Sequence, residues 1–165
     1  MIKTLFLLLF TFCSSLFAET LMLADRVILK KSTRMLYLYS GGEVFSRYHI
    51  SLGEASLGAK EFEGDMKTPE GTYILDWRQL SPRYNKSIHI SYPNKKDKAH
   101  AKKFGLKAGG MIMIHGTPSS WGLSPLGDWL PMLLDWTEGC IAMSNDDMDE
   151  VWEFVPNGTP ITIIP

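Results

Sequence analysis

Short runs of β-branched and aromatic residues, broken by glycine and proline, are the feature that most constrains how this chain can fold. Such runs are typical of β-strands, because branched and aromatic side chains pack well on a pleated surface. The 14 glycines and 9 prolines in the 165 residues supply turns between the runs and disfavour a helical bundle. The predicted strands are residues 26–30, 35–39, 44–52, 72–77, 88–92, 111–114 and 161–164.

Two segments have the pattern of α-helices. Residues 95–104 form a short basic stretch that Gly105 would end, and residues 145–154 follow Ser144, whose hydroxyl is suited to cap a helix N-terminus. The sequence therefore predicts a single domain that is mainly β with a few helices. The second helix has apolar side chains at helical spacing, which predicts one face packed against a sheet: Met148, Val151, Trp152 and Val155.

The first 18 residues have the organisation of a secretory signal peptide. Lys3 precedes an apolar run over residues 5–12, and a segment of small residues ends at Ala18. We therefore predict a signal peptide at residues 1–18 and a mature domain at residues 19–165. An uncleaved membrane anchor is the alternative for this segment.

The predicted mature domain contains one cysteine, Cys140, because Cys13 belongs to the leader. One cysteine cannot form a disulfide within its own chain, although exported proteins often contain disulfides. Cys140 is then a half-cystine shared with another chain, an inert buried thiol or a reactive group. The formal net charge of −1 over the whole chain gives no support for a nucleic-acid partner.

A histidine and a cysteine stand next to glycines in the stretch between residues 111 and 143. His115 follows a short apolar run in MIMIHGT, and Cys140 follows Gly139 in WTEGCIAMS. A thiol needs a base close by to attack a carbonyl near neutral pH, and imidazole is suited to that task. The spacing does not itself establish contact. Two alternatives remain: a structural histidine with an inert thiol, or a zinc site that adds His89 but lacks the usual paired spacing of ligands.

The wording and order of several motifs resemble the L,D-transpeptidase (YkuD) catalytic domain. These motifs are IHG, TEGCIAMSNDDMDEVW, and the upstream segments TPEGTYILDW and IHISYPNKKD, and the resemblance covers residues 25–165. Ala142 stands where many members of the family have arginine, and more residues than usual separate His115 from Cys140. Both departures are similar to those of a YafK-like subgroup of the family.

The resemblance implies a β-sandwich-like domain with a cysteine nucleophile in a groove. Cys140 would be the nucleophile and His115 the general base and acid, with the backbone carbonyl of Gly116 orienting the imidazole. The amides of Gly139 and Cys140 would form the oxyanion hole. Thr137 would brace the loop and lie near substrate. The family needs no metal and no organic cofactor.

The same resemblance implies an exported, periplasmic enzyme whose partners are peptidoglycan stem peptides. The thiolate would attack the carbonyl of a diamino acid, D-Ala would leave, and an amine from another stem peptide or from an envelope lipoprotein would take the acyl group. Attack by water would instead make the protein an L,D-carboxypeptidase or a peptidoglycan–lipoprotein amidase. The alternative outside enzymes is a non-catalytic module that binds peptidoglycan. Contact with a membrane is expected only during export.

Several residues near the motifs have two interpretations. His89 and Tyr92 would either line the groove or alternate along a strand with one solvated face. Arg83 and Lys86 would contact substrate carboxylates or lie in an exposed loop. Residues 121–136, which are rich in tryptophan and leucine, would form a lid over the groove or pack against the core.

Overall fold

A computed structural model describes residues 22–121 and 131–165 of the chain. The predicted signal peptide at residues 1–18, and with it the membrane-anchor alternative, lies outside the described residues. Within those two ranges, no helix has the length and apolarity needed to cross a bilayer. The strands and helices in chain order are β1 (Arg26–Lys30), β2 (Met35–Ser40), β3 (Glu43–His49), β4 (Gly71–Ser81), β5 (Asn85–Ile90), α1 (Lys95–Lys103), β6 (Met113–His115), β7 (Ile141–Ala142), α2 (Asn145–Phe154) and β8 (Thr159–Ile164).

The eight strands form one sheet in the order β3-β2-β1-β8-β4-β5-β6-β7. β1 pairs with β8 and β6 pairs with β7 in parallel, whereas the other neighbours are antiparallel. The sheet curls, since a bridge between Ser51 and Ala142 joins the segment after β3 to β7 at the opposite edge. The predicted class, mainly β with a few helices, is therefore confirmed. The two layers of the β-sandwich-like domain are parts of one curled sheet.

The core contains the inward side chains of the sheet and the apolar face of α2. Met148, Val151 and Val155 are fully buried, and Trp152 packs partly buried against the core. The Ser144 hydroxyl accepts a hydrogen bond from the backbone N–H at position 147 over 3.1 Å, which is the cap predicted from the sequence. This cap therefore defines the start of α2, shortly after the end of β7.

The β4–β5 hairpin differs most from the prediction. β4 continues to Ser81 and β5 begins at Asn85, whereas the sequence pattern predicts that one strand ends at residue 77 and the next begins at residue 88. A register shift between Leu75 and Arg78 interrupts the alternation that predicts a strand. The longer hairpin brings its tip next to β6.

A buried lysine attaches the loop between residues 53 and 71 to the sheet. Lys31 is only 3% exposed, and its ammonium donates to the backbone carbonyls of Gly58 and Thr68 and to the carboxylate of Glu70 at 2.9 Å. A buried ammonium is tolerated only where acceptors satisfy its three N–H groups. This loop therefore has a fixed position beside the end of β7.

Candidate active site

The sheet places His115 at the end of β6 and Cys140 directly before β7, the parallel neighbour of β6. β6 and β7 run parallel, with Ile114 opposite Ile141 and His115 opposite Ala142. Extending this register by one residue places Cys140 beside Met113. Since alternate residues of a strand face the same side, Cys140 and His115 are diagonal neighbours on one face of the sheet, within reach of each other's side chains.

Both side chains line one cavity of about 510 Å³ at the surface. The cavity lies between the β4–β5 hairpin, the end of β6 and the segment that precedes Cys140. Its wall combines polar and aromatic groups and contains one arginine, Arg83, and one carboxylate, Glu138, so it suits a polar substrate better than an apolar one. The other lining residues include Gln79, Ser81, Arg83, Tyr84, Ser87 and Trp136.

The imidazole of His115 is buried and held in one orientation. Its Nδ1 lies 2.7 Å from the backbone oxygen of Gly116, which can only accept, so Nδ1 carries the proton and Nε2 of the neutral ring is free of one. The rings of Tyr84 and Trp136 lie 4.4 and 5.7 Å from the imidazole, centroid to centroid. Burial, assisted by the positive charge of Arg83 and opposed by the hydrogen bond to Gly116, lowers the pKa of His115.

The Cys140 thiol is partly buried, and its Sγ lies 3.7 Å from the carbonyl oxygen of Met111. Burial is the main cause that raises the pKa of Cys140, and the charge of Glu138 raises it further. The N–H of Met113 and the charge of Lys60 act in the opposite direction. A lowered histidine pKa and a raised cysteine pKa both favour the neutral forms. At rest the pair is therefore a thiol beside an imidazole rather than an ion pair.

The neutral pair predicts how Cys140 reacts with iodoacetamide, which alkylates only the thiolate. We expect the rate to rise with pH and to reach half its maximum above about pH 8.5, the ordinary cysteine value, because the folded pKa is raised. Peptide mapping after timed alkylation between pH 5 and 10 would measure this. A reactivity plateau near pH 6 would instead indicate a preformed thiolate–imidazolium pair and contradict the prediction.

Thr137 organises the turn that leads to Cys140. Its Oγ1 donates to the Cys140 carbonyl over 2.7 Å and accepts from the Gly139 N–H over 3.1 Å, so the bracing role implied by the resemblance agrees with the geometry. The Gly139 backbone has φ +125°, and a Cβ there would lie 2.6 Å from the Lys67 carbonyl oxygen. The Gly139 N–H is bonded to the Thr137 hydroxyl, and its expected oxyanion role stays a prediction. The backbone N–H of Cys140 is therefore the stronger candidate to donate a hydrogen bond to the oxyanion.

The turn is pinned from the opposite edge of the curled sheet. The Thr137 N–H donates to the Leu52 carbonyl at 3.1 Å, and the Glu54 N–H donates to the Thr137 carbonyl at 2.9 Å. Gly53 makes this possible, since a Cβ at that position would meet the Gly139 Cα at 3.0 Å and the Met66 carbonyl even closer. The loop before Cys140 therefore has little room to shift.

Asp135 fixes the start of the same turn. Its carboxylate accepts from the Arg34 guanidinium, with Nε at 2.9 Å, and from the Leu52 N–H at 2.9 Å. Burial alone would raise the pKa of Asp135, but hydrogen bonds from Arg34, Leu52 and Ser56 lower it, so the charged form is favoured. No sequence motif signalled this residue.

The structure places His89 and Tyr92 outside the cavity, which corrects the expectation that they line it. Tyr92 is 3% exposed, and its hydroxyl donates to the Ala108 carbonyl at 2.9 Å, so it is a core residue. His89 points to the same face of the sheet as His115 but is partnered elsewhere. Its Nδ1 lies 2.7 Å from Asp76, and its ring stacks on Trp77 at 4.7 Å.

The two basic residues near the hairpin have different environments. Arg83 lines the cavity and stacks over Tyr84, whereas Lys86 points away to Asp149 at 3.0 Å. Within residues 22–121 and 131–165, no three His, Cys, Asp or Glu side chains converge to hold a metal. The zinc set with His89 therefore has no geometric support.

Several cavity residues were not identified from the sequence. Gln79, Ser81, Tyr84 and Ser87 reach the cavity only because the β4–β5 hairpin is longer than its apolar pattern indicates. Within the segment 121–136, Trp136 lines the cavity, and its ring lies 4.7 Å from that of Trp121. The lid interpretation of this segment depends on residues 122–130, which lie outside the described residues.

The fold and the paired histidine and cysteine motifs define a class of catalytic domain. The family model of the L,D-transpeptidase catalytic domain (YkuD) matches residues 24–163, and the chain belongs to this family. YafK of Escherichia coli (strain K12) is 33% identical over 134 residues, which are 79% of this chain and 46% of that protein. The resemblance to a YafK-like subgroup is thereby confirmed. The chain spans about half the length of these curated relatives.

Solved structures show the same fold. The helical cell shape determining protein Pgp2 from Campylobacter jejuni aligns with a TM-score of 0.61 at 28% identity, over 83% of this chain and 46% of that one. The L,D-transpeptidase from Mycobacterium smegmatis aligns with a TM-score of 0.54 at 16% identity, over 84% and 58%. The second likeness establishes the fold alone.

Proposed function

We propose that this protein is an exported L,D-transpeptidase that acts on peptidoglycan stem peptides through a thioester on Cys140. The observation that carries the proposal is that His115, at the end of β6, and Cys140, directly before the paired strand β7, line one cavity. The hydrogen bond from His115 to the Gly116 carbonyl leaves Nε2 as the basic atom. The family assignment supports peptidoglycan as the substrate.

The first step of the proposed reaction forms the thioester. His115 Nε2 takes the proton from the Cys140 thiol as the sulfur attacks the carbonyl carbon between a diamino acid and D-Ala. The developing oxyanion is stabilised by the Cys140 N–H. The C–N bond then breaks, and His115 returns the proton to the leaving amine of D-Ala. Because the pair is neutral at rest, proton transfer and attack are coupled, and such acid–base assistance contributes about 10²–10⁴-fold.

Arg83 supplies a partner for the negative charge of the donor. A stem peptide that ends in D-Ala carries a terminal carboxylate, and Arg83 lines the cavity where that end would lie. A guanidinium binds a carboxylate through two parallel hydrogen bonds. We propose that this contact sets the direction in which the donor enters.

The second step transfers the acyl group. An amine of another stem peptide or of an envelope lipoprotein attacks the thioester, the C–S bond breaks and an amide forms. The surplus proton of the amine passes through His115 to the Cys140 sulfur. If water attacks instead, the protein is an L,D-carboxypeptidase or a peptidoglycan–lipoprotein amidase. We propose a periplasmic location and, by analogy with the structural likeness to Pgp2, a role in cell shape.

The test is incubation of the purified protein with muropeptides, with and without an added acceptor amine, followed by mass spectrometry. Release of D-Ala with cross-linked dimers supports the transpeptidase, and trimmed monomers alone support a hydrolase. Intact substrate together with retained binding to sacculi would reject both and favour a non-catalytic binding module.

A further inference from the structure

Cys140 lines a second cavity in addition to the one that contains His115. This second cavity, of about 250 Å³, shares Met111, Glu138 and Cys140 with the first but does not include His115. Its walls come from the loop between residues 53 and 71 and from residues 109–112. Cys140 therefore borders two differently lined spaces, which meet at Met111, Glu138 and Cys140.

The second cavity is acidic. Lys60 is its only basic lining residue among those described, and its ammonium is bound to Asp65 at 2.7 Å with both side chains 4% exposed. Asp65 also accepts three backbone N–H groups, and although burial would raise its pKa, these bonds and Lys60 lower it. Asp65 thus offsets the Lys60 charge within the wall, although Lys60 still acts on the Cys140 sulfur in the direction opposite to Glu138. The carboxylates of Glu63 and Glu138 give this cavity its negative charge.

Glu138 occupies the junction of the two cavities. It is exposed, it lies two residues before Cys140, and it lines both spaces. Its charge reaches the sulfur, since it raises the pKa of Cys140. A carboxylate at this position disfavours an anionic group beside the thioester and favours a cationic one.

We propose that Glu138 is a specificity-determining residue that selects a cationic amine as the acyl acceptor in the second cavity. This inference rests on the proposed transpeptidase function and adds to it the chemistry of the acceptor. The acceptor arrives as an ammonium ion, and the carboxylate raises its local concentration and holds it beside the thioester. One proton of the ammonium goes to solvent before attack. The nitrogen then bonds to the carbonyl carbon, the C–S bond breaks, and a second proton passes through His115 to the sulfur.

The experiment separates acylation from acceptor choice. Wild-type protein, Glu138→Gln and Glu138→Ala are first acylated with a donor muropeptide, and D-Ala release is measured. The thioester is then partitioned between water and one of two nucleophiles at pH 8: Nα-acetyl-lysine amide, which is an ammonium ion, and hydroxylamine, which is neutral. The control is Glu43→Gln, an exposed glutamate at the start of β3 that lines neither cavity.

We expect Glu138→Gln to reduce the preference for the lysine amine over water by about tenfold, the size of one lost charge-assisted contact, with hydroxylamine unaffected. Added salt should reduce the wild-type preference and leave that of the variant unchanged. Equal partitioning of the lysine amine in wild type and Glu138→Gln would overturn the inference while leaving the proposed function intact. Failure of the wild-type protein to release D-Ala would overturn both.

Discussion

A Cys140→Ala variant should lose both D-Ala release and cross-link formation, with a decrease of at least about 10⁴-fold, while remaining folded. The reason is that the proposed reaction passes through a covalent bond to this sulfur, and alanine offers no atom to replace it. Cys140 lies in a cavity wall and its small Sγ makes only weak hydrogen bonds, with the Met111 carbonyl and the Met113 N–H, so the substitution removes little packing. Product analysis by mass spectrometry and a thermal melt would test the two parts together.

The matched control is Cys140→Ser, which keeps the size of the side chain but has a hydroxyl of much higher pKa. We expect it to be nearly as inactive as the alanine variant, since His115 cannot ionise a serine as readily as a cysteine. Sacculus binding by both variants should equal that of the wild type. Substantial turnover by Cys140→Ala would show that another group performs the chemistry and would reject the assignment of the nucleophile.

Local patterns were sufficient to predict the helices and most strands. Residues 145–154 were predicted as a helix from the cap at Ser144 and the apolar spacing, and α2 has those bounds. The sequence also predicts strand β1 at its observed bounds, because its centre is a run of β-branched and apolar residues. In contrast, β7 has two residues, too few for any periodicity, and exists only because it pairs with β6.

The curl of the sheet could not be predicted from the sequence, and much of the site depends on it. The bridge between Ser51 and Ala142 joins segments 91 residues apart, and no local pattern records such a pairing. His115 and Cys140 were identified because each stands in a distinctive motif next to glycine. Tyr84 and Asp135 have no such signal, since their positions depend on contacts made by distant parts of the chain.

Loss of the Asp135 carboxylate should be the most destabilising change at the site. The carboxylate pairs with Arg34 and satisfies the Leu52 N–H, so Asp135→Ala leaves the partly buried guanidinium without a counter-charge and the Leu52 N–H without its acceptor. Removing one partner of a buried ion pair costs about 3–5 kcal/mol of stability. Because the Arg34 side chain is 30% exposed, we expect the free energy of unfolding to fall by about 2–3 kcal/mol. Thermal and urea unfolding would measure it.

The pH dependence of this effect has a definite sign. The folded-state pKa of Asp135 is below its ordinary value, so its contribution is fully present above about pH 4 and is lost as the pH falls through the folded pKa. The stability difference between wild type and Asp135→Ala should therefore shrink under acid. The control is Asp149→Ala, which removes a surface pair with Lys86 in which the aspartate is 51% exposed, and should cost less than about 1 kcal/mol.

Asp135 also links stability to activity. The residue precedes the turn at Thr137, whose hydroxyl holds the Gly139 N–H and the Cys140 carbonyl. When Asp135 no longer anchors this turn, the sulfur should lose its fixed position relative to His115, and the acylation rate should fall at least about tenfold even where the protein is folded. A variant that is destabilised as expected but acylates at the wild-type rate would show that Thr137 and the 53–71 loop suffice to position Cys140.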